Sequence, residues 1–518
     1  MIIHNILILI PSMLFFACKY IPNSEEMIVH NIEEMIVHNI LEKPELKLKV
    51  QPAQGTYIFY DSRKSTFRMG NEFIERRIFV DKNRIYTTAF INKLSNNNYS
   101  KSPGEEMAFS ANGEKISGVN GTLEFLGHDL SSNILEIRFS AKLETGNLNI
   151  RIVYEILHKP IIHKWIEIEN TGGSYITIDS IQVESLKLIP GAEYDLTIFN
   201  PQKNSKVLSP AVYDAHLSEG FFLGNEAPGI LQYYDIYSSN GYVNIGLTPY
   251  QQDYGTEVQL APNEKFTSPA TFIFLFKGDP EGSVESLLEF VDEYISLPKI
   301  PEYKVWYESP SNIQLQIYEH VQNAKESGSD VFCLREDWTD RRGDWTFEKN
   351  AYIPELSQYV HNSGMKFGLC IDLAIAETES QVLIQNPEWT VKAEDGSDYI
   401  DPKYYELSSS NGRLMCLGSE YAVYMAYEID ELVRELGLDY VKLTGAMLPG
   451  AGTKGCHSKD HIHRSGAESW RSIYDGLFSI IRYLHSSHWD LIVDISLESY
   501  SPSGMMDYAL LRNADMQR

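Results

Sequence analysis

The stretch "SEYAVYMAYEIDELVRELGLDYVKLTGAM" (residues 419–447) carries the rhythm of the second half of the chain: a helix, a glycine that ends it, and a short apolar strand. The strand brings Lys442 to its end and then stops on Leu443, Thr444 and Gly445. A lysine at such a strand end faces a ligand or a carboxylate, because a buried cation needs a partner. No acid follows it in the sequence.

The same unit recurs on both sides. Downstream, "ESWRSIYDGLFSIIRYLHSSH" (468–488) leads into the strand "LIVDISL" (491–497). Upstream, "SNIQLQIYEHVQNAKESG" (311–328) places Ile313, Ile317, Val321 and Ala324 on one stripe, with Ser311 or Asn312 as the cap and Gly328 as the stop. It leads into "DVFCLRED" (330–337), and "IPELSQYVHNSG" (353–364) leads into "MKFGLCIDL" (365–373). Helix, glycine, short apolar strand is the pattern of a parallel α/β fold, here a (β/α) TIM-type barrel over 305–518. A doubly wound sheet is the alternative, but no Gly-rich dinucleotide loop follows any strand.

A barrel keeps its function at the carboxyl ends of the strands. Those ends carry Arg335, Glu336, Asp337 and Trp338, then Asp372, then Lys442 and Thr444, then Asp494 with Glu498. For any single acid a capping or ion-pair role is as good a reading as catalysis. As a set they read as an acidic pocket for a polyol, since unpartnered buried carboxylates are costly.

Ahead of the barrel, residues 45–280 follow a different period. "NLNIRIVYEIL" (147–157), "KWIEIENTGGSYITIDSIQVESL" (164–186) and "GYVNIGLTPY" (241–250) alternate apolar with polar residues between turn clusters, as strands of a large antiparallel sandwich do. "SVESLLEFVDEYISL" (283–297), stopped by Pro298 and Pro301, reads as a linker helix within 281–304. The chain opens with "MIIHNILILIPSMLFFACKY", too short for a comfortable membrane span, whose "FFAC" predicts a bacterial lipoprotein signal over 1–18 and a lipid anchor at Cys18. The tandem "EEMIVHNI" at 25–32 and 33–40 reads as a duplicated spacer over 19–44. Export to the periplasm or cell surface is the expectation.

Length and composition agree with this organisation. A chain of 518 residues exceeds one ordinary core, and 43% hydrophobic with 22% charged residues is globular in character. A formal charge of −27 excludes nucleic acid and an anionic membrane surface as natural partners. The 32 tyrosines and 7 tryptophans suit a β-rich core, or flat faces for sugar rings. Cys333, Cys370, Cys416 and Cys456 read as buried thiols rather than a disulfide framework. The sequence allows an oligomer without specifying one.

With these residues laid out, the second half resembles the melibiase-type α-galactosidases, clan D glycoside hydrolases. The matching stretches are "LREDWTDRRGDW" (334–345), "NSGMKFGLCIDL" (362–373), "NPEW" (386–389) and "LDYVK" (438–442). The first half resembles that family's N-terminal β-supersandwich, most visibly at "HKWIEIENTGG" (163–173). The resemblance implies a retaining hydrolase with two carboxylates and no cofactor, acting on α-galactoside-like glycans. It implies a sugar site made of Glu336, Asp337, Trp338, Asp344, Trp345, Asp372, Lys442 and Asp494. It places the nucleophile at Thr444, where this chain has a hydroxyl instead of a carboxylate, and the acid/base at Asp515, with Glu498 as a second candidate. Arg335 and Glu336 stand where the family has paired acids. About six barrel strands can be counted before Arg518, so the barrel reads as C-terminally truncated, lacking the family's last strands and C-terminal β-sandwich.

Three readings are open. The chain is a glycosidase; or a sugar-binding homologue inactivated by Thr444; or an inverting glycosidase with relocated carboxylates. Replacing Thr444 with aspartate is expected to raise α-glycosidase activity where the barrel is complete and Asp515 is a competent acid. "GCHSKDHIH" (455–463) groups Cys456, His457, Asp460, His461 and His463, and histidines four apart can share a metal on a helix. The stretch reads as loop, however, so substrate contact or hydrogen bonding is preferred and no metal is expected.

Overall fold

The computed structural model describes residues 55–517 apart from 193–195, 201–207, 239–240, 299, 311–315, 400–411, 446–447 and 449–453. The signal segment with Cys18, the octapeptide spacer and the cap at Ser311 or Asn312 lie outside the described residues. The chain divides into the units Met1–Gln51 and Pro52–Arg518, and the described residues all belong to the second.

From Tyr57 to Lys277 every ladder is antiparallel. The strands form a five-stranded meander, a nine-stranded sheet and a six-stranded sheet. The alternation read in the sequence sets the faces. In Asn147–Ile156, Leu148, Ile150 and Ile152 are buried while Asn147 and Asn149 face solvent, and Ile150 and Ile152 lie opposite Ile168 and Ile166 of Ile161–Asn170. All three sheets contribute to one buried charge cluster. Arg76 meets Glu184 Oε1 at 2.7 Å and also binds Glu106, while Lys164 meets Glu184 Oε2 at 3.0 Å and Glu106 Oε1 at 3.2 Å. Tyr154 and Thr87 donate hydroxyl hydrogens to Glu106, both at 2.8 Å. Burial alone would raise the Glu106 pKa, but Arg76 and Lys164 hold it at about 2.

A helix, Pro280–Phe290, capped by Asp279 and continued by a π turn through Ile295, separates the antiparallel sheets from a six-stranded parallel one. The parallel strands are β1 (Val305–Glu308), β2 (Val331–Leu334), β3 (Lys366–Asp372), β4 (Tyr440–Thr444), β5 (Ile492–Ile495) and β6 (Met516–Gln517), hydrogen-bonded in that order. Between them run α1 (Ile317–Glu326), α2 (Ile353–Asn362), α3 (Tyr421–Leu436), α4 (Gly466–Ser487) and α5 (Tyr508–Asn513). This curled sheet with helical crossovers is the barrel architecture expected from the sequence. The left-handed Gly437 (φ 62) ends α3 and frees the chain to enter β4.

Register sorts the strand residues into two sides. Val331, Cys333, Cys370, Tyr440, Ile492 and Met516 form one cluster on the inner side. The antiparallel part packs on α4 and α5 through specific contacts. The Gly229 N–H donates to Asp507 Oδ2, the Ile230 N–H donates to the Tyr474 hydroxyl at 3.2 Å, and Arg512 pairs with Glu226 at 2.7 Å. Gly229 (φ 44) is required here, because a Cβ would sit 2.0 Å from the Tyr474 hydroxyl. Among the described residues no helix is long and apolar enough to cross a membrane.

Candidate functional site

Two register pairs build the site. Asp372 at the end of β3 is the partner of Thr444 at the end of β4, and Lys442 of β4 is the partner of Asp494 in β5. Residues two apart on a strand share a side, so Tyr440, Lys442 and Thr444 form a column on the inner face, while Val441 and Leu443 pack into the surrounding core. The Thr444 hydroxyl donates to Asp372 Oδ1 at 3.0 Å, and Arg342 Nε lies 2.6 Å from Asp372 Oδ2. Burial lifts the Asp372 carboxyl above its usual range, an effect the Arg342 guanidinium opposes and the Glu336 carboxylate reinforces. Gly445 (φ 83) turns the chain away immediately afterwards, and a Cβ there would press to 3.1 Å from Asp372 Cα.

One layer below, Lys442 Nζ donates to the Tyr307 hydroxyl at 3.2 Å and lies 4.7 Å from the Tyr307 ring centroid. The Tyr307 and Tyr440 hydroxyls are 3.0 Å apart, and Tyr440 donates to Asp494 Oδ2. Burial would depress the Lys442 pKa, but Asp494 and then Tyr307 more than offset it, so Lys442 is held firmly as the cation. The question raised by the isolated lysine is answered: it faces Tyr307 and the Asp494 carboxylate.

Glu336 and Asp337 lie in the short 3-10 turn Glu336–Trp338 after β2, with Asp337 exposed and accepting from Ser309. Together with Asp372, Arg342, Thr444 and Lys442 they make a mouth of mixed charge at the carboxyl ends of β2–β4. Such a mouth offers both donors and acceptors to sugar hydroxyls.

The other sequence candidates lie elsewhere. Trp338 is fully buried and its indole N–H donates to the Cys370 carbonyl at 2.7 Å, so it packs the core rather than presenting a face. Trp345, also buried and at φ 53, leans on Trp338 with ring centroids 6.1 Å apart. Asp344 accepts from the Gln381 N–H at 2.6 Å and caps the short helix Gln381–Gln385. Glu498 is exposed in the helix Leu497–Tyr500 beyond β5.

Asp515 is a correction. It precedes β6, and because Met516 shares the inner side with Asp494, Asp515 faces outward toward α4. There its carboxylate accepts from the Val493 N–H at 2.9 Å and meets His485 Nε2 at 2.8 Å. Asp439, which precedes β4, does the same with Phe367 N–H and His361, and Asp330, which precedes β2, accepts from Lys304 N–H. Asp515 therefore belongs to a repeated strand-start tie, not to an acid/base site at the mouth. Tyr307, Tyr440 and Arg342 were missed by sequence reasoning. Tyr440 had a signal, two residues before Lys442 on the same face.

The architecture, antiparallel sheets ahead of a parallel (β/α) barrel with polar strand ends, is that of a class of glycoside hydrolases. Residues 313–516 match the Melibiase family model. Alpha-galactosidase 1 of Pediococcus pentosaceus is 24% identical over 133 residues, 24% of this chain and 17% of that protein. Alpha-galactosidase Mel36A of Lactobacillus acidophilus is 23% identical over 167 residues, 29% of this chain and 22% of its own length. The matched stretch thus spans less than a quarter of either relative. The fold is shared with the α-galactosidase from Lactobacillus brevis, at a TM-score of 0.66 and 14% identity over 89% of this chain and 73% of that one. It is shared too with variants of the GH36 α-galactosidase AgaA from Geobacillus stearothermophilus solved with raffinose and with stachyose. These give a TM-score of 0.63 and 12% identity over 87% of this chain and 74% of theirs.

Proposed function

We propose that this chain binds an α-galactoside-like sugar at the mouth formed by β2–β4, and that it does so without retaining hydrolysis through position 444. One observation carries this reading: the Thr444 hydroxyl donates to a carboxylate that is already ion-paired to Arg342. A retaining glycosidase needs two carboxylates about 5–5.5 Å apart across the anomeric carbon, one of them a free nucleophile. A threonine hydroxyl engaged with Asp372 is not a substitute for one, and Asp515 faces α4 instead of the mouth. The family-model match and the solved relatives' raffinose and stachyose support the choice of sugar. The charged opening, where Lys442 is kept cationic and Glu336 and Asp337 are accessible, supports polar recognition.

A second reading rests on Asp372. It is a strand-end carboxyl at the mouth, bonded to Thr444 and Arg342, and would serve as one member of a relocated carboxylate pair in an inverting reaction. We further infer export, from the apolar opening and its "FFAC".

Calorimetry with galactose, raffinose and stachyose, run beside turnover of nitrophenyl α-galactosides, separates the readings. Binding without turnover, lost at least about tenfold in Lys442→Ala, is the expected result. Turnover with inversion at the anomeric carbon would select the second reading. Absence of binding to any α-galactoside overturns both.

A further inference from the structure

Cys416, Cys456, His461 and His463 converge from two separate segments. Cys416 follows the strand Gly412–Leu414, and the other three come from the loop between β4 and α4. One donor atom of each lies within 4.8 Å of all the others. Cys456 Sγ is 3.4 Å from His461 Nδ1, His461 Nδ1 is 3.2 Å from His463 Nε2, and His463 Nε2 is 3.7 Å from Cys416 Sγ. The same atoms recur in each distance, so every side chain turns a single donor toward one shared centre.

These spacings have a chemical meaning. A tetrahedral zinc ion with Zn–S near 2.3 Å and Zn–N near 2.0–2.1 Å holds its ligands at fixed separations. They are about 3.4 Å for two nitrogens, about 3.6 Å for nitrogen and sulfur, and about 3.8 Å for two sulfurs. The three distances found here fall within about 0.2 Å of those values. Mutual hydrogen bonding explains them less well. His461 Nε2 is 2.7 Å from the Glu388 carbonyl oxygen, so Nε2 carries the proton and Nδ1 presents a lone pair to the centre. That carbonyl contact is the outer-shell partner that a metal-binding histidine ordinarily has. The Lys392 N–H points at Cys456 Sγ at 3.4 Å, as backbone amides do toward a thiolate. Cys416, Cys456 and His463 are buried, so the centre is shielded from solvent on most sides.

We propose that these four side chains form a closed, structural Cys2His2 site for one zinc ion. Two thiolates and two neutral imidazoles are a soft donor set that selects zinc over magnesium or calcium. Four protein ligands fill the tetrahedron and leave no position for a reacting water. Binding displaces the thiol protons of Cys416 and Cys456 to solvent. Its consequence is local architecture. The loop that begins just past Thr444 and Gly445 is held to the segment around Trp389–Lys392 and to Gly418. Backbone bonds already join these parts: His457 N–H to the Lys392 carbonyl, Cys416 N–H to the Trp389 carbonyl, and Ile462 N–H to the Gly418 carbonyl. The ion would lock this junction at the carboxyl end of β4. The sequence motif alone could not supply the site, because its fourth ligand, Cys416, lies forty residues upstream of Cys456.

The test uses the full chain, purified with its thiols reduced. Elemental analysis is expected to give one zinc per chain, and stripping the metal with a chelator to lower the melting temperature, with recovery on adding zinc. Cobalt titration of the stripped protein should then produce the visible bands of a tetrahedral cobalt ion with thiolate charge transfer, saturating at one equivalent. Cys456→Ser should lose the charge-transfer intensity, whereas His457→Ala, altering a neighbour outside the quartet, should leave stoichiometry unchanged. Should Cys456→Ser fail to fold, the cobalt titration of the wild-type protein decides alone. A reduced chain that gives no tetrahedral cobalt spectrum overturns the proposal, and so does a Cys416–Cys456 disulfide in the freshly purified protein.

Discussion

The Thr444 hydroxyl and the Asp372 carboxylate are joined by a 3.0 Å hydrogen bond between register partners on adjacent parallel strands. Both groups are buried at the strand ends. Removing the donor leaves Asp372 with Arg342 as its charge partner, and a hydrogen bond to a charged group contributes about 1.5–3 kcal/mol. Thr444→Val, nearly isosteric, is therefore expected to lower stability by that order, and Thr444→Ser to restore most of it. Urea unfolding midpoints check both. Loss in Thr444→Ser with none in Thr444→Val would mean that the threonine methyl, not its hydroxyl, holds the position.

The sandwich interior gives a larger effect. Arg76, Lys164, Glu106 and Glu184 are fully buried and balance two positive against two negative charges. Glu184→Gln removes one negative charge while both cations remain out of water. Breaking a buried pair from one side costs about 3–5 kcal/mol. A loss of that size in chemical denaturation is expected, and a loss below about 1 kcal/mol would show that water reaches the cluster.

Asp515 offers a test of its placement. With its carboxylate on the Val493 N–H and His485, Asp515→Ala should destabilise by about 1–3 kcal/mol, the cost of an unpaired buried amide and a lost contact to His485. Sugar affinity measured by calorimetry should not change. A selective loss of affinity or turnover at unchanged stability would return Asp515 to the active site.

Much of this was legible because local periods fix local faces. Glycine-stopped helices before short strands identified β2–β4, a long amphipathic helix before a short apolar run identified β5, and alternation alone put Lys442 and Thr444 on one side of β4. What failed was level and register across strands. The resemblance placed the acid/base at Asp515, but pairing of Met516 with Asp494 sets it outward and at the start of its strand. The resemblance placed Trp338 in the sugar site, yet its N–H is consumed by the Cys370 carbonyl from the neighbouring strand. Cys416 could not be assigned to the histidine loop because nothing in their spacing encodes the contact. Each miss depends on a non-local pairing, which no window of sequence contains.

The junction of barrel and sandwich should respond to pH through Asp507. Burial pushes its pKa from 3.8 up to about 6, although the N–H groups of Gly229 and Leu510 and the Tyr500 hydroxyl pull the other way. A carboxyl with a folded-state pKa above its unfolded value holds its proton more tightly in the native state. Its contribution is therefore fully present below about pH 3.8 and is lost as pH rises toward 6. A shift of roughly two units, at about 1.4 kcal/mol per unit, amounts to roughly 3 kcal/mol. The stability of the wild type minus that of Asp507→Asn should fall by this order between pH 4 and above 6. A difference that stays flat, or rises, over that window would show that the three donors outweigh burial.

Restoring a carboxylate at position 444 tests the proposed loss of hydrolysis. Thr444→Asp alone would set a second acid against Asp372, and two carboxylates in contact do not both ionise at neutral pH. The pair would share a proton and titrate as a unit, so residue 444 would be the ionised member in only part of the population. Arg342 is the one cation paired to Asp372 among the described residues, and Lys442 is directed to Tyr307 and Asp494. Combining Thr444→Asp with Asp372→Asn removes the competing charge while Arg342 remains to hold the new carboxylate ionised. A nitrophenolate leaves without help from a general acid, so the outward position of Asp515 does not block the first step. The double variant is expected to release nitrophenol from a nitrophenyl α-galactoside in a burst of up to one equivalent, exceeding either single variant and the wild type. Mass spectrometry should find the glycosyl adduct on the peptide containing residue 444. Sugar binding retained without burst or adduct would mean that the pocket no longer brings an anomeric carbon to the end of β4.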